Sequence, residues 1–162
     1  MKLVIEPLSK QAFSDFGDVI ETTDSEHFLI NNGSTQRFHD LAKIDMGEEG
    51  RMLVNIFRAT PRSYPLTIEM VERHPLGSQA FMPLGSNPYL VLVAPKGEAV
   101  SPEDLRLFSA AADQGVHYHA GTWHHPVLAL GGVSDFLVID RGGDEHNCDE
   151  IFFDTDDIRI EL

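Results

Sequence analysis

The chain has 162 residues, and 42% of them are hydrophobic, which is enough apolar material for one domain with a single core. Its 26 acidic and 12 basic residues give a formal net charge of -14, and such a charge repels nucleic acid backbones and anionic membrane surfaces. The numbers predict a single domain over residues 1–162 that has no nucleic acid or membrane partner.

The cysteine content and the N-terminal segment both bear on the compartment. Cys148 is the single cysteine, so an intramolecular disulfide is excluded and a reducing environment is favoured. The apolar run in MKLVIEPLSKQAF is interrupted by Glu6 and Pro7, and no later run approaches the roughly 18 apolar residues of a membrane span. We therefore expect no secretory leader, a cytoplasmic location, and an unreactive thiol in a loop.

Two segments carry the end signals of helices. In SKQAFSDFG, residues 9–17, Ser9 is placed to cap a helix and Gly17 to end it in a left-handed conformation. In SPEDLRLFSAAAD, residues 101–113, Ser101 is placed to cap and apolar residues recur at helical spacing. The sequence predicts a helix over each segment.

Most of the remaining chain is predicted to form strands, because short segments rich in Val, Ile, Leu and Phe alternate with Gly, Pro, Ser or Asn. This pattern favours an antiparallel barrel or sandwich over a doubly wound fold. The acidic tail DTDDIRIEL is predicted to form either an edge strand or a solvated face. The predicted strands are RMLVNIFRA (51–59), LTIEMVERH (66–74), QAFMPLG (79–85), YLVLVAP (89–95), HPVLAL (125–130) and DFLVIDR (135–141).

Two segments carry the residues suited to chemistry. In EMVERHPLGSQAFMPLG, residues 69–85, Glu72 and His74 are two apart on a strand, so both should point to the inside of a barrel. GVHYHAGTWHHP, residues 115–126, contains four histidines. We expect His119 and His124 to be working groups and His117 and His125 to be supporting neighbours.

These two segments resemble the two motifs of the cupin superfamily. The resemblance implies an all-β, double-stranded β-helix (jelly-roll) barrel with a few accessory α-helices. In this chain Glu72 replaces a first histidine, Gln79 a glutamate and His119 a proline; a metal on Glu72, His74, Gln79 and His124 would be held weakly, because an amide is a poorer ligand than a carboxylate. The matching patterns are Glu72-x-His74-x4-Gln79-x5-Gly85 and His119-x-Gly121-x2-His124.

Longer strings along most of the chain resemble the bacterial ureidoglycolate lyase family, formerly called ureidoglycolate hydrolase. The resemblance implies a homodimer that cleaves (S)-ureidoglycolate to glyoxylate and urea in purine (allantoin) degradation, with nickel as a possible divalent metal. The strings are PLSKQAFSDFGDVIET (7–22), INNG (30–33), RFHDLA (37–42), PLTIEMVERHPLGSQAFMPL (65–84), GVHYHAGTWHHP (115–126) and DFLVIDRGGDEHNCD (135–149).

Such a cleavage needs a base, an acid and a cation for the substrate carboxylate. We expect His119 or His124 to be the base and His74 or a bound water to be the acid, with Glu72 orienting an imidazole. A bound metal would instead polarise the substrate hydroxyl. The candidate substrate contacts are Arg37, Arg58 and Arg141 for the carboxylate, Asn31, Asn32 and Gln79 for the ureido group, and Tyr89 as pocket wall or core.

Three alternatives stay open at this stage. A different metal-dependent cupin enzyme acting on another small hydroxy acid would need a tightly held metal. Hydrolysis of ureidoglycolate would release ammonia rather than urea. A non-catalytic protein that senses a small carboxylate would bind ureidoglycolate without releasing urea.

Overall fold

The computed structural model describes all 162 residues, and its order of elements is dominated by strands, with one short helix and two 3-10 turns at Asn31–Gly33 and Pro102–Asp104. The helix, α1, is Lys10–Phe13. The strands are β1 (Ile5–Pro7), β2 (Gly17–Ile20), β3 (His27–Ile30), β4 (Thr35–Phe38), β5 (Arg51–Ala59), β6 (Leu66–Thr67), β7 (Met70–Arg73), β8 (Gln79–Pro83), β9 (Tyr89–Ala94), β10 (Arg106–Ala110), β11 (Gly115–Tyr118), β12 (Trp123–His124), β13 (Leu128–Ala129), β14 (Ser134–Gly142), β15 (Asp149–Phe152) and β16 (Arg159–Ile160).

Two large sheets enclose the main core. One has the order β1-β10-β9-β12-β7-β15 with β13 beside β9, and the other has the order β2-β11-β8-β14-β5. Aromatic and branched side chains from both sheets fill the space between them; Phe81 and Phe136 come from one sheet, Tyr89 and Phe108 from the other. The predicted all-β barrel is confirmed.

A second core lies on the opposite face of the seven-stranded sheet. Leu90 and Leu92 of β9 point into it, whereas Val91 and Val93 point into the main core. Burial on both faces explains why β9 is apolar at every position. The acidic tail supplies β16, which pairs with β6 and buries Ile160, so the edge-strand alternative is the correct one.

The predicted helix at residues 9–17 is present but short. The Ser9 hydroxyl accepts a hydrogen bond from the backbone N–H of Ala12, which caps the first turn as predicted. Gly17 does not end the helix in a left-handed conformation, because it is the first residue of β2. A Cβ at Gly17 would lie 1.7 Å from the carbonyl oxygen of His117 on β11, so only glycine allows the two strands to approach.

The predicted helix over residues 101–113 is wrong beyond its first turn. The N-terminal signal is real, since the backbone N–H of Ser101 donates to Asp104 at 2.8 Å around a 3-10 turn. The chain then extends as β10, between β9 and β1. Leu107 points into one core and Phe108 into the other, so pairing with two strands and burial on two faces outweigh the local helical spacing.

Two predicted strands have different bounds. The segment 66–74 is divided into β6 and β7 at Ile68, whose N–H donates to the carbonyl of Ile158 in the tail. Of residues 125–130, only Leu128–Ala129 form a strand, and the preceding Trp123–His124 form another. This second difference places His124 within the sheet rather than beside its end.

The hairpin formed by β3 and β4 stands apart from both large sheets. Its two strands pair only with each other, and Phe28 and Leu29 are 47% and 60% exposed. A two-stranded hairpin is only marginally stable by itself, and these two apolar side chains remain exposed in the chain. No helix of the protein has the length and apolar character needed to cross a bilayer.

Candidate active site

Three side chains converge where β7 and β12 meet. Glu72 on β7 lies directly opposite His124 on β12, and His74 follows β7 by one residue. Nε2 of His124 lies 3.5 Å from Oε1 of Glu72, and Nε2 of His74 lies 3.9 Å from the same oxygen. Glu72 and His74 point to the same side of the strand, as its period of two requires.

Backbone carbonyls orient both imidazole rings. Nδ1 of His74 lies 2.7 Å from the carbonyl oxygen of Asn147, and Nδ1 of His124 lies 3.0 Å from that of Thr122. Because a carbonyl oxygen can only accept, each Nδ1 carries the hydrogen and donates it. Both Nε2 atoms are buried without a hydrogen-bond partner, so two unpartnered nitrogens face one carboxylate.

The charge of Glu72 completes this arrangement. Contact with His124 lowers the pKa of the Glu72 carboxyl, and this effect outweighs the opposing effect of burial. An ionised carboxylate beside two nitrogen lone pairs is favourable only when a proton or a metal cation lies between them. The cluster therefore has the features of a proton-transfer site and of a metal site.

The geometry fits a divalent metal ion. Ligand atoms about 2.1 Å from a tetrahedral metal are about 3.4 Å apart, close to the two separations from Glu72. The backbone hydrogen bonds at Nδ1 are those that fix metal-binding histidines. Glu72, His74 and His124 can therefore hold a metal ion with little movement.

Tyr118 and Gln79 lie on the facing, five-stranded sheet. The Tyr118 ring stacks on His124, with centroids 4.4 Å apart and planes inclined by 16°. Burial raises the pKa of the Tyr118 hydroxyl well above its ordinary value, so it stays protonated. Gln79, paired with Tyr118 across the strands, donates to Asp140 at 3.2 Å and leaves its buried Oε1 without a partner.

The loop that contains Asn147 and Cys148 covers the cluster. The side-chain oxygen of Asn147 accepts from the N–H of Leu76, which fixes the turn after His74. The Cys148 thiol lies 3.9 Å from Oε2 of Glu72. Burial and nearby carboxylates raise the pKa of this thiol, which agrees with the expected unreactive cysteine.

His119 belongs to a different cluster. Its Nε2 lies 3.5 Å from Oδ2 of Asp18, which also lies 2.8 Å from Nδ1 of His117. His117 and His119 are two apart and share the outer face of their sheet, whereas Tyr118 between them points inward. His119 therefore lies beside Asp18 and not beside His124, its neighbour in the second cupin-like motif.

None of the three candidate arginines contacts the Glu72 cluster. Arg58 makes a bidentate pair with Asp135, with distances of 2.8 and 3.0 Å. Arg141 is buried and donates to the carbonyl oxygens of Met46 and Glu48, and it pairs with Glu145. Arg37 lies on the exposed hairpin, stacks on Phe28 and pairs with no carboxylate.

The remaining candidate contacts are also separate from the cluster. Asn31 and Asn32 form the tip of the hairpin, where both have positive φ, so their type is explained by the turn. Tyr89 is 1% exposed, and its hydroxyl donates to the carbonyl of Gln114 at 2.7 Å. This is a core position, one of the two places predicted for Tyr89.

Comparison with known proteins identifies the family. The family model described as ureidoglycolate lyase matches residues 1–161. The chain belongs to the ureidoglycolate lyase family. It is 54% identical over 159 residues to the ureidoglycolate lyase of Pseudomonas putida, covering 98% of this chain and 95% of the relative. It is 56% identical over 153 residues to that of Pseudomonas syringae pv. syringae, covering 94% and 90%.

One solved structure is more distantly similar to this ureidoglycolate lyase family member. That structure was reported for the substrate binding mode and a reaction specificity switch in oxalate decarboxylase. Its similarity to this chain has a TM-score of 0.39 and 15% sequence identity. The match covers 91% of this chain and 30% of the other.

Several residues around the cluster were not among the predicted site residues. Tyr118, Asp140 and Asn147 belong to other strands and loops, and each contacts a predicted residue. The triplet NCD was part of the family resemblance, which could have indicated Asn147. Asp18 lies about a hundred residues before its histidine partners, and no local pattern connects it with them.

Proposed function

We propose that this chain cleaves (S)-ureidoglycolate to glyoxylate and urea, and that the reaction takes place at Glu72, His74 and His124. The supporting observation is that two fixed imidazoles direct unpartnered Nε2 atoms toward one carboxylate in a member of this family. Such a step belongs to purine (allantoin) degradation. The single cysteine supports a cytoplasmic location.

The reaction needs proton transfers and no redox step. The hydroxyl of the substrate loses its proton, its oxygen forms the carbonyl of glyoxylate, and the bond from the same carbon to the ureido nitrogen breaks. The nitrogen takes a proton and leaves as urea. His124 is the proposed base and His74 the proposed acid, since histidine exchanges protons near neutral pH.

Glu72 stabilises the protonated imidazole that forms. Its carboxylate is within 4 Å of both Nε2 atoms, so a proton gained by either histidine meets a negative charge. Tyr118 covers one face of His124 and keeps water from it. Glu72 therefore favours the charge that develops during proton transfer.

A divalent metal is compatible with the same three ligands. Gln79 offers its unpartnered Oε1 as a fourth candidate ligand from the facing sheet. When bound, the metal would polarise the substrate hydroxyl and lower its pKa. The family resemblance makes nickel the first ion to test.

A homodimer is supported by an apolar surface on the five-stranded sheet. The surface, called here the outer apolar face, consists of side chains that share one side of three neighbouring strands. Val54 and Ile56 are 67% and 55% exposed, and β5 is an edge strand. A second copy would cover this face and the edge. Its members are Val54, Ile56, Met82, Leu137 and Ile139.

The experiment measures all three products at once. Chelator-treated protein is incubated with (S)-ureidoglycolate, and glyoxylate, urea and ammonia are followed together. Glyoxylate with equimolar urea supports the lyase, whereas ammonia indicates hydrolysis. Activity that returns only with nickel or another divalent ion shows that the reaction needs a metal, for which Glu72, His74 and His124 are the proposed ligands.

Two variants connect that activity to the cluster. We expect His124→Ala to abolish product formation, whereas His146→Ala changes an exposed histidine outside the cluster and retains it. Far-ultraviolet circular dichroism controls for the fold. Near-normal activity of His124→Ala would contradict the proposed base, and binding of ureidoglycolate without products would indicate a sensor.

A further inference from the structure

A cavity of about 310 Å³ lies beside the barrel, apart from Glu72, His74 and His124. Its volume is at the lower end for small-molecule pockets, so it has room for a small metabolite together with water. The lining residues are Lys43, Asp45, Ser78, Lys96, His117, His119 and Ala120.

The lysines give this cavity an unusual charge. Lys43 and Lys96 make no hydrogen bond or ion pair with the protein, although the chain carries a net charge of -14. Asp45 is the one carboxylate among the lining residues, and it already accepts from the N–H of Gly47 at 2.8 Å. Two free ammonium groups in an acidic protein favour an anionic ligand.

His117 supplies a second recognition feature. It is 1% exposed, and its Nδ1 lies 2.8 Å from Oδ2 of Asp18, which accepts the hydrogen from the ring. Burial lowers the pKa of His117, so the neutral ring is favoured. Its Nε2 is then an acceptor, and it has no partner in the protein.

Nδ1 of His117 is already hydrogen-bonded to Asp18, so Nε2 is the ring nitrogen available to a ligand in the cavity. Lys43 and Lys96 occupy exposed positions, so their side chains can move to admit a ligand. A buried acceptor without a donor costs free energy, and a hydroxyl group would remove that cost.

We propose that the cavity binds a small 2-hydroxy carboxylate. The carboxylate pairs with Lys43 and Lys96, and the hydroxyl donates to Nε2 of His117. His119 borders the same space and can add a hydrogen bond to the carboxylate. Glycolate and hydrated glyoxylate both have this chemistry. The site is distinct from the proposed lyase centre and does not depend on it.

Calorimetric titration with glycolate, acetate and inorganic phosphate tests the proposal. Glycolate has the hydroxyl and acetate lacks it, so we expect glycolate to bind about threefold to tenfold more tightly. The Lys43→Met/Lys96→Met double variant should bind glycolate about tenfold more weakly. Lys2→Met, which removes a lysine paired with Glu161 elsewhere, should bind like the unchanged protein.

A Glu72→Gln variant distinguishes this cavity from the barrel cluster, and it should retain glycolate binding. Loss of binding in Glu72→Gln, or no effect of the two lysine substitutions, would overturn the proposal. Equal affinity for acetate or phosphate would remove the role of the hydroxyl. Glycolate binding that requires added nickel and is lost in Asp18→Asn would instead assign a metal to Asp18, His117 and His119.

Discussion

Glu72 and His124 face each other across β7 and β12, with Oε1 and Nε2 3.5 Å apart at a position where the strands are in register. The Glu72 carboxylate is partly exposed, whereas His124 is 2% exposed. Nδ1 of the buried ring is fixed by the carbonyl of Thr122, so a proton that arrives or leaves does so at Nε2. The pair therefore couples a buried proton carrier to a carboxylate that solvent can reach.

We expect Glu72→Gln to lower kcat/KM for ureidoglycolate by at least about 100-fold, because the amide cannot stabilise a protonated histidine. Glu69→Gln is the matched control, since Glu69 is exposed and directly precedes β7. Initial rates of glyoxylate formation provide the measurement. If the two variants have similar rates, Glu72 does not support the reaction.

One part of this cluster was accessible from sequence through a local rule, and the other part only through the motif resemblance. Residues two apart on a strand share a side, which placed Glu72 with His74, and the second motif added His124. His119 has the same kind of motif position but points to the outer face. Its partner Asp18 comes from β2, and only the pairing of β2 with β11 brings them together.

Arg141 shows a second limit of sequence interpretation. A guanidinium near a strand end suits a substrate carboxylate, and the local sequence contains no sign of a competing partner. In the folded chain it instead binds carbonyls at residues 46 and 48, almost a hundred positions earlier. The helix predicted over 101–113 was wrong for a related reason, because Arg106–Ala110 pair on one edge with β9 and on the other with β1, about a hundred residues earlier.

Arg141→Met should destabilise the protein by about 2 to 4 kcal/mol, because it leaves the carbonyls of Met46 and Glu48 without their donor. Arg51→Met is the control, since Arg51 is exposed and makes no ion pair. Urea denaturation gives the free energy of unfolding. Equal free energies of unfolding in the two variants would mean that the hydrogen bonds from Arg141 to Met46 and Glu48 do not stabilise the fold.

The outer apolar face predicts an effect on oligomeric state. Ile56→Asp places a charge at a 55% exposed position of this face on the edge strand β5 and should convert a dimer to a monomer. Val133→Asp changes a residue of similar exposure in a turn outside this face and should leave the dimer intact. Sedimentation equilibrium measures the masses. A dimer that survives Ile56→Asp must use another surface.

His117 predicts how stability depends on pH. Burial lowers its pKa in the folded protein below the ordinary value near 6.5, so the unfolded chain binds a proton more readily. The corresponding stability is fully present above about pH 6.5 and is lost as the pH falls through the lower pKa of the folded state. His117→Gln should therefore reduce the loss of unfolding free energy between pH 7.5 and 5.5, two values chosen about one unit either side of that ordinary pKa. His146→Gln, at an exposed histidine, should not change that loss. Identical pH dependence in the two variants would show that His117 does not contribute through its protonation.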